Sequence, residues 1–233
     1  MASTYVDKSA LNTIVACNLS SSARAIAESV THNNRMVNLV RRDISSEVNR
    51  IAKECEKNML YGDAGIIYEK TGDADNAIRA YDTGRLYFQA GNVSINSGKK
   101  EMAEGFAKKL ELEKPDDALI LYKKLGNVDG IGRCAKALET KQPFTSALGY
   151  ISIGDKADAN RCADILEAAA KQDPANEKKI MIDVAYIRMH SGDHEGAAAA
   201  YDQSESPQMA DFLRGGRKTE CFFGVKIRSD NSY

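Results

Sequence analysis

Residues 61–84 read Tyr61-Gly62-Asp63-Ala64-Gly65-Ile66-Ile67-Tyr68-Glu69-Lys70-Thr71-Gly72-Asp73-Ala74-Asp75-Asn76-Ala77-Ile78-Arg79-Ala80-Tyr81-Asp82-Thr83-Gly84. Two runs of helix-compatible residues are separated by Gly72-Asp73. A glycine can adopt the left-handed backbone that ends a helix, and the Asp after it can accept the first N–H bonds of the next one. The stretch therefore predicts two short helices joined by a corner. Gly65, Ala77 and Gly84 are small enough for the two helices to approach closely, and Tyr68 and Tyr81 fill the space beside them.

The corner chemistry recurs outside this stretch, as Gly91-Asn92, Gly126-Asn127, Gly154-Asp155 and Gly192-Asp193. Tyr68, Tyr87, Tyr122 and Tyr150 each stand four residues before such a glycine, and Arg188 takes that place before Gly192. The prolines at 115, 143, 174 and 207 each precede or open a stretch that reads as a helix, where a missing N–H costs nothing. Upstream, Val37, Val40, Ile44, Val48, Ile51 and Cys55 step by three or four and form one apolar stripe. Leu11, Val15, Leu19, Ile26 and Val30 suggest a helix before it, with Thr31 to Asn34 as a polar break.

The resulting expectation is all-α, with helices near 7–30, 35–59, 60–71, 74–90, 93–112, 116–125, 128–140, 143–153, 156–171, 175–191, 194–204 and 207–214. It divides the chain into an N-terminal helical hairpin over 1–58, helical repeats over 59–214 and a tail over 215–233.

Tyr61, Ala64, Gly65, Tyr68, Ala77, Tyr81 and Gly84 follow the spacing of the tetratricopeptide repeat, so this stretch resembles that family. Ala185, Gly192, Ala197 and Tyr201 repeat the core of the pattern, and Tyr122 with Gly126 and Tyr150 with Gly154, Ala159 and Ala163 are weaker echoes. The resemblance implies a right-handed superhelix of antiparallel helix hairpins, an α-solenoid that binds proteins and carries no cofactor. The irregular glycine spacing and the ends outside the repeats also resemble the soluble adaptors of vesicle fusion, which grip a coiled coil. Gly62 and Ile66 stand where the tetratricopeptide carboxylate clamp has Lys and Asn, so the resemblance does not imply that binding mode here.

The whole chain narrows the choice of function. Thirty-two basic and 33 acidic residues leave a formal charge of -1, without the basic footprint that nucleic acid requires. A helical-repeat RNA reader also needs regular repeats, which the glycine positions do not supply. Five widely spaced cysteines without CxxC read as reduced thiols in a cytoplasmic setting. No apolar run is long enough for a membrane span, so no integral membrane contact is expected. His190 and His194 are four apart, but Gly192 between them turns the two rings in different directions, so no metal site is expected. Phosphate-cradle, nucleophile-elbow and zinc-protease motifs are missing, and catalysis by an unrecognised arrangement of carboxylates is the alternative to the binding reading.

The sequence thus predicts a non-catalytic scaffold or adaptor for a protein partner, possessing no cofactor, catalytic or metal residues. Its candidate contacts are Arg41, Arg42, Lys99, Lys100, Lys123 and Lys124, which suit an acidic partner, together with Phe222 and Phe223. The last two belong to an apolar island, Cys221 to Val225, that either packs on the last helices or docks on a partner. Gly84→Leu is expected to overpack the hairpin and lower stability by roughly 1–3 kcal/mol, read by thermal denaturation.

Overall fold

The computed structural model describes residues 20–33 and 44–215, and all regular structure among them is helical. The helices are α1 (Ser21–Asn33), α2 (Ile44–Lys57), α3 (Tyr61–Lys70), α4 (Ala74–Thr83), α5 (Tyr87–Asn96), α6 (Lys100–Leu110) and α7 (Pro115–Leu125). They continue as α8 (Val128–Leu138), α9 (Pro143–Ser152), α10 (Lys156–Ala170), α11 (Glu177–Ser191), α12 (His194–Gln203) and α13 (Pro207–Arg214). Contacts divide the chain into two compact units, Met1–Gly126 and Asn127–Tyr233.

Within each unit, consecutive helices pack on one another as hairpins. We label the helices alternately in chain order A (α3, α5, α7, α9, α11) and B (α4, α6, α8, α10, α12); the A–B hairpins are α3–α4 and α5–α6 in the first unit and α9–α10 and α11–α12 in the second, whereas α7 and α8 belong to different units. The A helices α3, α5, α7 and α9 begin at Tyr61, Tyr87, Pro115 and Pro143, at intervals of 26, 28 and 28 residues. The interval is shorter than the 34 residues of a tetratricopeptide unit, because α4 stops at Thr83 and a new helix starts at once.

Four expected corners are present, and their geometry explains them. Gly72, Gly126, Gly154 and Gly192 have φ of 79°, 70°, 78° and 90°. The following residue caps the next helix each time: Asp73 accepts from the Asn76 N–H, Asn127 from Gly130, Asp155 from Asp158 and Asp193 from Gly196. Pro115, Pro143 and Pro207 open their helices.

Two expected long helices, 74–90 and 93–112, are instead three short ones, and Gly91-Asn92 is not a corner. Gly91 lies inside α5, where an added Cβ would come within 2.5 Å of the Leu121 side chain on α7. The actual breaks fall at Arg85, with φ 55°, and at Gly98, with φ 76°. Met59 and Glu205 also adopt the left-handed region, at φ 59° and 58°. At these corners the backbone closes in the same way as at the glycines. The Leu86 N–H reaches the Tyr81 carbonyl at 2.8 Å, Leu60 reaches Cys55 at 2.9 Å and Ser206 reaches Tyr201 at 2.9 Å.

At the N-terminal side, the first helix is described over Ser21–Asn33, so Thr31 and its neighbours belong to it and do not form a break. The remainder of the expected break and the start of the preceding helix lie outside the described residues. Ser20 caps α1 through the Ala23 N–H and is itself held by Asp63, to which its N–H and hydroxyl both donate at 2.8 Å. The stripe on α2 is buried at Val48, Ile51 and Cys55, where it joins Ala64, Ile67, Tyr68, Ala77 and Tyr81 in the core of the first unit. The core of the second unit gathers Ala147, Tyr150, Ala159, Cys162, Val184, Ile187 and Ala200.

Close packing singles out particular glycines. A Cβ on Gly65 would meet the Tyr81 ring at 2.4 Å, so the α3–α4 crossing requires glycine there. Gly84 is also confined, but by the Tyr61 Cβ at 2.8 Å rather than by Tyr68 or Tyr81. Gly105, on α6, has nothing within 4 Å of its Cβ position. Two substitutions should therefore act in opposite directions. Gly65→Val overpacks a filled crossing and should cost about 1–3 kcal/mol, whereas Gly105→Ala improves an open helical position by about 1 kcal/mol. Urea denaturation of both variants checks this.

Candidate binding surface

The recurring polar feature of both units links the ends of α6, α8, α10 and α12 to the helix that follows. Glu139, just after α8, accepts a hydrogen bond from the Tyr150 hydroxyl on α9, and Arg161 on α10 closes over the same carboxylate. Glu111 and Tyr122 form the corresponding pair in the first unit. Where the tyrosine is replaced by arginine, an ion pair takes over: Arg188 meets Glu167 at 2.7 Å, and Arg214 meets Asp202. Glu56 on α2 receives both terminal nitrogens of Arg79 at 3.1 and 2.8 Å, with Tyr68 buried between their helices.

These groups resemble acid–base constellations, but their electrostatics suit them to holding helices. Burial, and then the hydrogen bond to Glu139, raises the Tyr150 pKa, so the phenol stays protonated and continues to donate. Burial followed by Glu56 pushes Tyr68 up to about 12. For Glu139, burial alone would raise the pKa, yet the bonds from Tyr150 and Arg161 outweigh it and hold the carboxyl below its ordinary value. The thiols are similarly passive: burial pushes Cys55 up to about 11 and also raises Cys162. Cys55, Cys134 and Cys162 are all free and buried.

Of the lysines singled out from sequence, Lys99 and Lys100 lie at the start of α6 and Lys123 and Lys124 in the last turn of α7, and they are not equivalent. Lys99 lies against Asp75 of α4, and Lys124 donates to the Asn92 side chain of α5 at 2.5 Å. Lys100 and Lys123 are exposed. Lys109 pairs with Asp82 at 2.7 Å and lies over the Tyr87 and Phe106 rings at 4.8 and 5.0 Å. Arg41, Arg42, Phe222 and Phe223 lie outside the described residues. Among the described residues, no group of three or more His, Cys, Asp or Glu is placed to hold a metal ion, and no helix is long and apolar enough to cross a membrane.

Sequence reasoning missed an aromatic cluster on the A helices of the second unit. Tyr186, on α11, is 39% exposed, and its ring centroid is 6.0 Å from Phe144 on α9 and 4.3 Å from His190. Ile182, one turn earlier on α11, is 45% exposed. Burial lowers the His190 pKa, which favours the neutral ring beside Tyr186. Helix α9 has no charged residue, whereas α11 carries half-buried Asp183, three residues from Tyr186, with Lys179 one turn before it. By contrast, the cavity between α3 and α5, of about 160 Å³ and lined by Glu69, Gly72, Ala74, Val93, Asn96 and Ser97, is smaller than the pockets that usually enclose a small ligand.

No family model, curated protein or solved structure matches the chain.

The Glu139 clamp makes a pH-dependent prediction. Its folded pKa is depressed, so its contribution to stability is present above the ordinary glutamate range, near 4.3, and lost as pH falls through the lower folded value. Glu139→Gln should lower the Tm at pH 7, and the difference from wild type should shrink below about pH 4. Thermal melts across that range measure it.

Proposed function

We propose that the protein is a non-catalytic scaffold that holds a protein partner on the A-helix face of its second unit. The observation carrying this reading is the Phe144–Tyr186–His190 cluster, which with Ile182 offers an apolar surface on packed helices. Large side chains kept half-open on rigid helices lose little freedom when a partner covers them, which is why exposed tyrosines often anchor interfaces. A helix or extended peptide with two or three apolar side chains fits such a surface.

The tetratricopeptide-like spacing of residues 61–84 supports the same class of function, and stacking of the hairpins into a superhelix belongs to this proposal. Lys100 and Lys123 add an exposed basic component in the first unit, suited to an acidic stretch of the partner. Such surface charges affect association more than stability.

A partner recovered from native extract by the wild-type chain should be lost with Ile182→Ala combined with Tyr186→Ala, at a Tm within a few degrees of wild type. Lys100→Glu with Lys123→Glu should weaken recovery by a smaller factor, and more so at low salt. Equal recovery by the Ile182/Tyr186 variant, with its fold intact, would place the binding surface elsewhere.

A further inference from the structure

Asp63, Asp117 and Asp183 share one place in their helices, nine residues before the corner glycines Gly72, Gly126 and Gly192. In α3 this acceptor is satisfied from within the chain, since Ser20 at the start of α1 donates both its N–H and its hydroxyl to Asp63. In α11 it is not. Asp183 is half-buried, and among the described residues it makes no hydrogen bond or ion pair. Burial, only partly offset by Lys179, raises its pKa, as expected of a carboxyl that has lost water without gaining a donor. Lys179, Ile182, Asp183, Tyr186 and His190 follow one another at helical spacing and line one side of α11. Ile182 and Tyr186 on that side are exposed, and Phe144 of α9 adds a second ring beside Tyr186.

We propose that the α9–α11 face binds a Lys or Arg side chain of its partner, the cationic group against Asp183 and the apolar stem over Ile182 and Tyr186. An unpaired carboxylate beside aromatic rings is complementary to such a side chain: the carboxylate takes the charge, the ring faces attract it as well, and the methylene stem covers apolar surface. An acidic side chain in the same place is repelled. Lys179, exposed and one turn before Asp183, is a competing cation, and no ion pair joins the two. The inference rests on the partner surface proposed for these helices and adds the charge of the group that it holds.

The test uses the full chain and a random display library of peptides of about twelve residues, long enough to cross two packed helices. Peptides are selected on the wild type and kept if they fail to bind Ile182→Ala combined with Tyr186→Ala. Those kept should carry Lys or Arg beside apolar residues. Calorimetry then measures the strongest of them: Asp183→Asn should weaken it about tenfold, and replacing its basic residue by Gln should cost the same and remove the sensitivity to Asp183→Asn. The peptide substitution is read on the wild-type chain, so it decides even if Asp183→Asn lowers the Tm. Lys179→Gln should strengthen binding about twofold by removing the competing cation, which a purely structural role of Asp183 does not produce. Kept peptides without a base, or equal affinity with Gln in its place, overturn the inference and leave the apolar surface standing. If no selected peptide depends on Ile182 and Tyr186, both fall.

Discussion

The backbone bond that closes each helix corner is the constraint on which the rest depends. At Gly72 the Asp73 N–H reaches back to the Tyr68 carbonyl at 2.9 Å, and the same five-residue return joins Asp155 to Tyr150 and Asp193 to Arg188. Helices α3, α4 and α5 have ten residues each, too few to persist alone in water. A corner that satisfies the last carbonyls of one helix while capping the next fixes the direction of both and brings their apolar faces together. The price of that closeness appears at Gly65, where a side chain would enter the Tyr81 ring.

Once the hairpins are formed, the next problem is to hold one against another without leaving charge uncompensated in a partly buried seam. The carboxylates at the ends of the B helices meet it by accepting from Tyr122 or Tyr150, or by pairing with Arg188 or Arg214. Tyrosine and arginine are interchangeable there because both reach from the A helix with a donor. Tyrosine adds an apolar ring, and arginine adds charge that a second acid can share, as Asp164 does at 3.0 Å from Arg188. Charges are thereby paired along the seams, and α9 has none at all.

This division separates the groups that hold the fold from those left open at the surface. The buried tyrosines and thiols are kept protonated by burial, which suits fixed donors and inert packing. Tyr186 is different: it projects from a packed helix between Phe144 and His190 and retains open surface. Lys99 and Lys124, equal to their neighbours as members of basic pairs, are engaged with Asp75 and Asn92, whereas Lys100 and Lys123 are exposed.

The sequence by itself determined the helical class, the buried stripe of α2 and the corners at Gly72, Gly126, Gly154 and Gly192, because left-handed backbone and N-capping are local chemistry written in adjacent residues. It placed breaks near 59 and 205 but missed the one at Arg85, and it gave no sign that Met59, Arg85 and Glu205 take left-handed backbone, where residues with no preference for it are held by the packing of the flanking helices. Gly91 shows the converse, since a glycine followed by Asn looks like a corner but serves as a close approach to Leu121. Tyr150 was readable as one of the tyrosines four residues before a glycine, but its bond to Glu139 required knowing that the two helices face each other. Only the tertiary structure joined Phe144 to Tyr186: neither residue is unusual in its own helix, and their contact exists because α9 packs on α11.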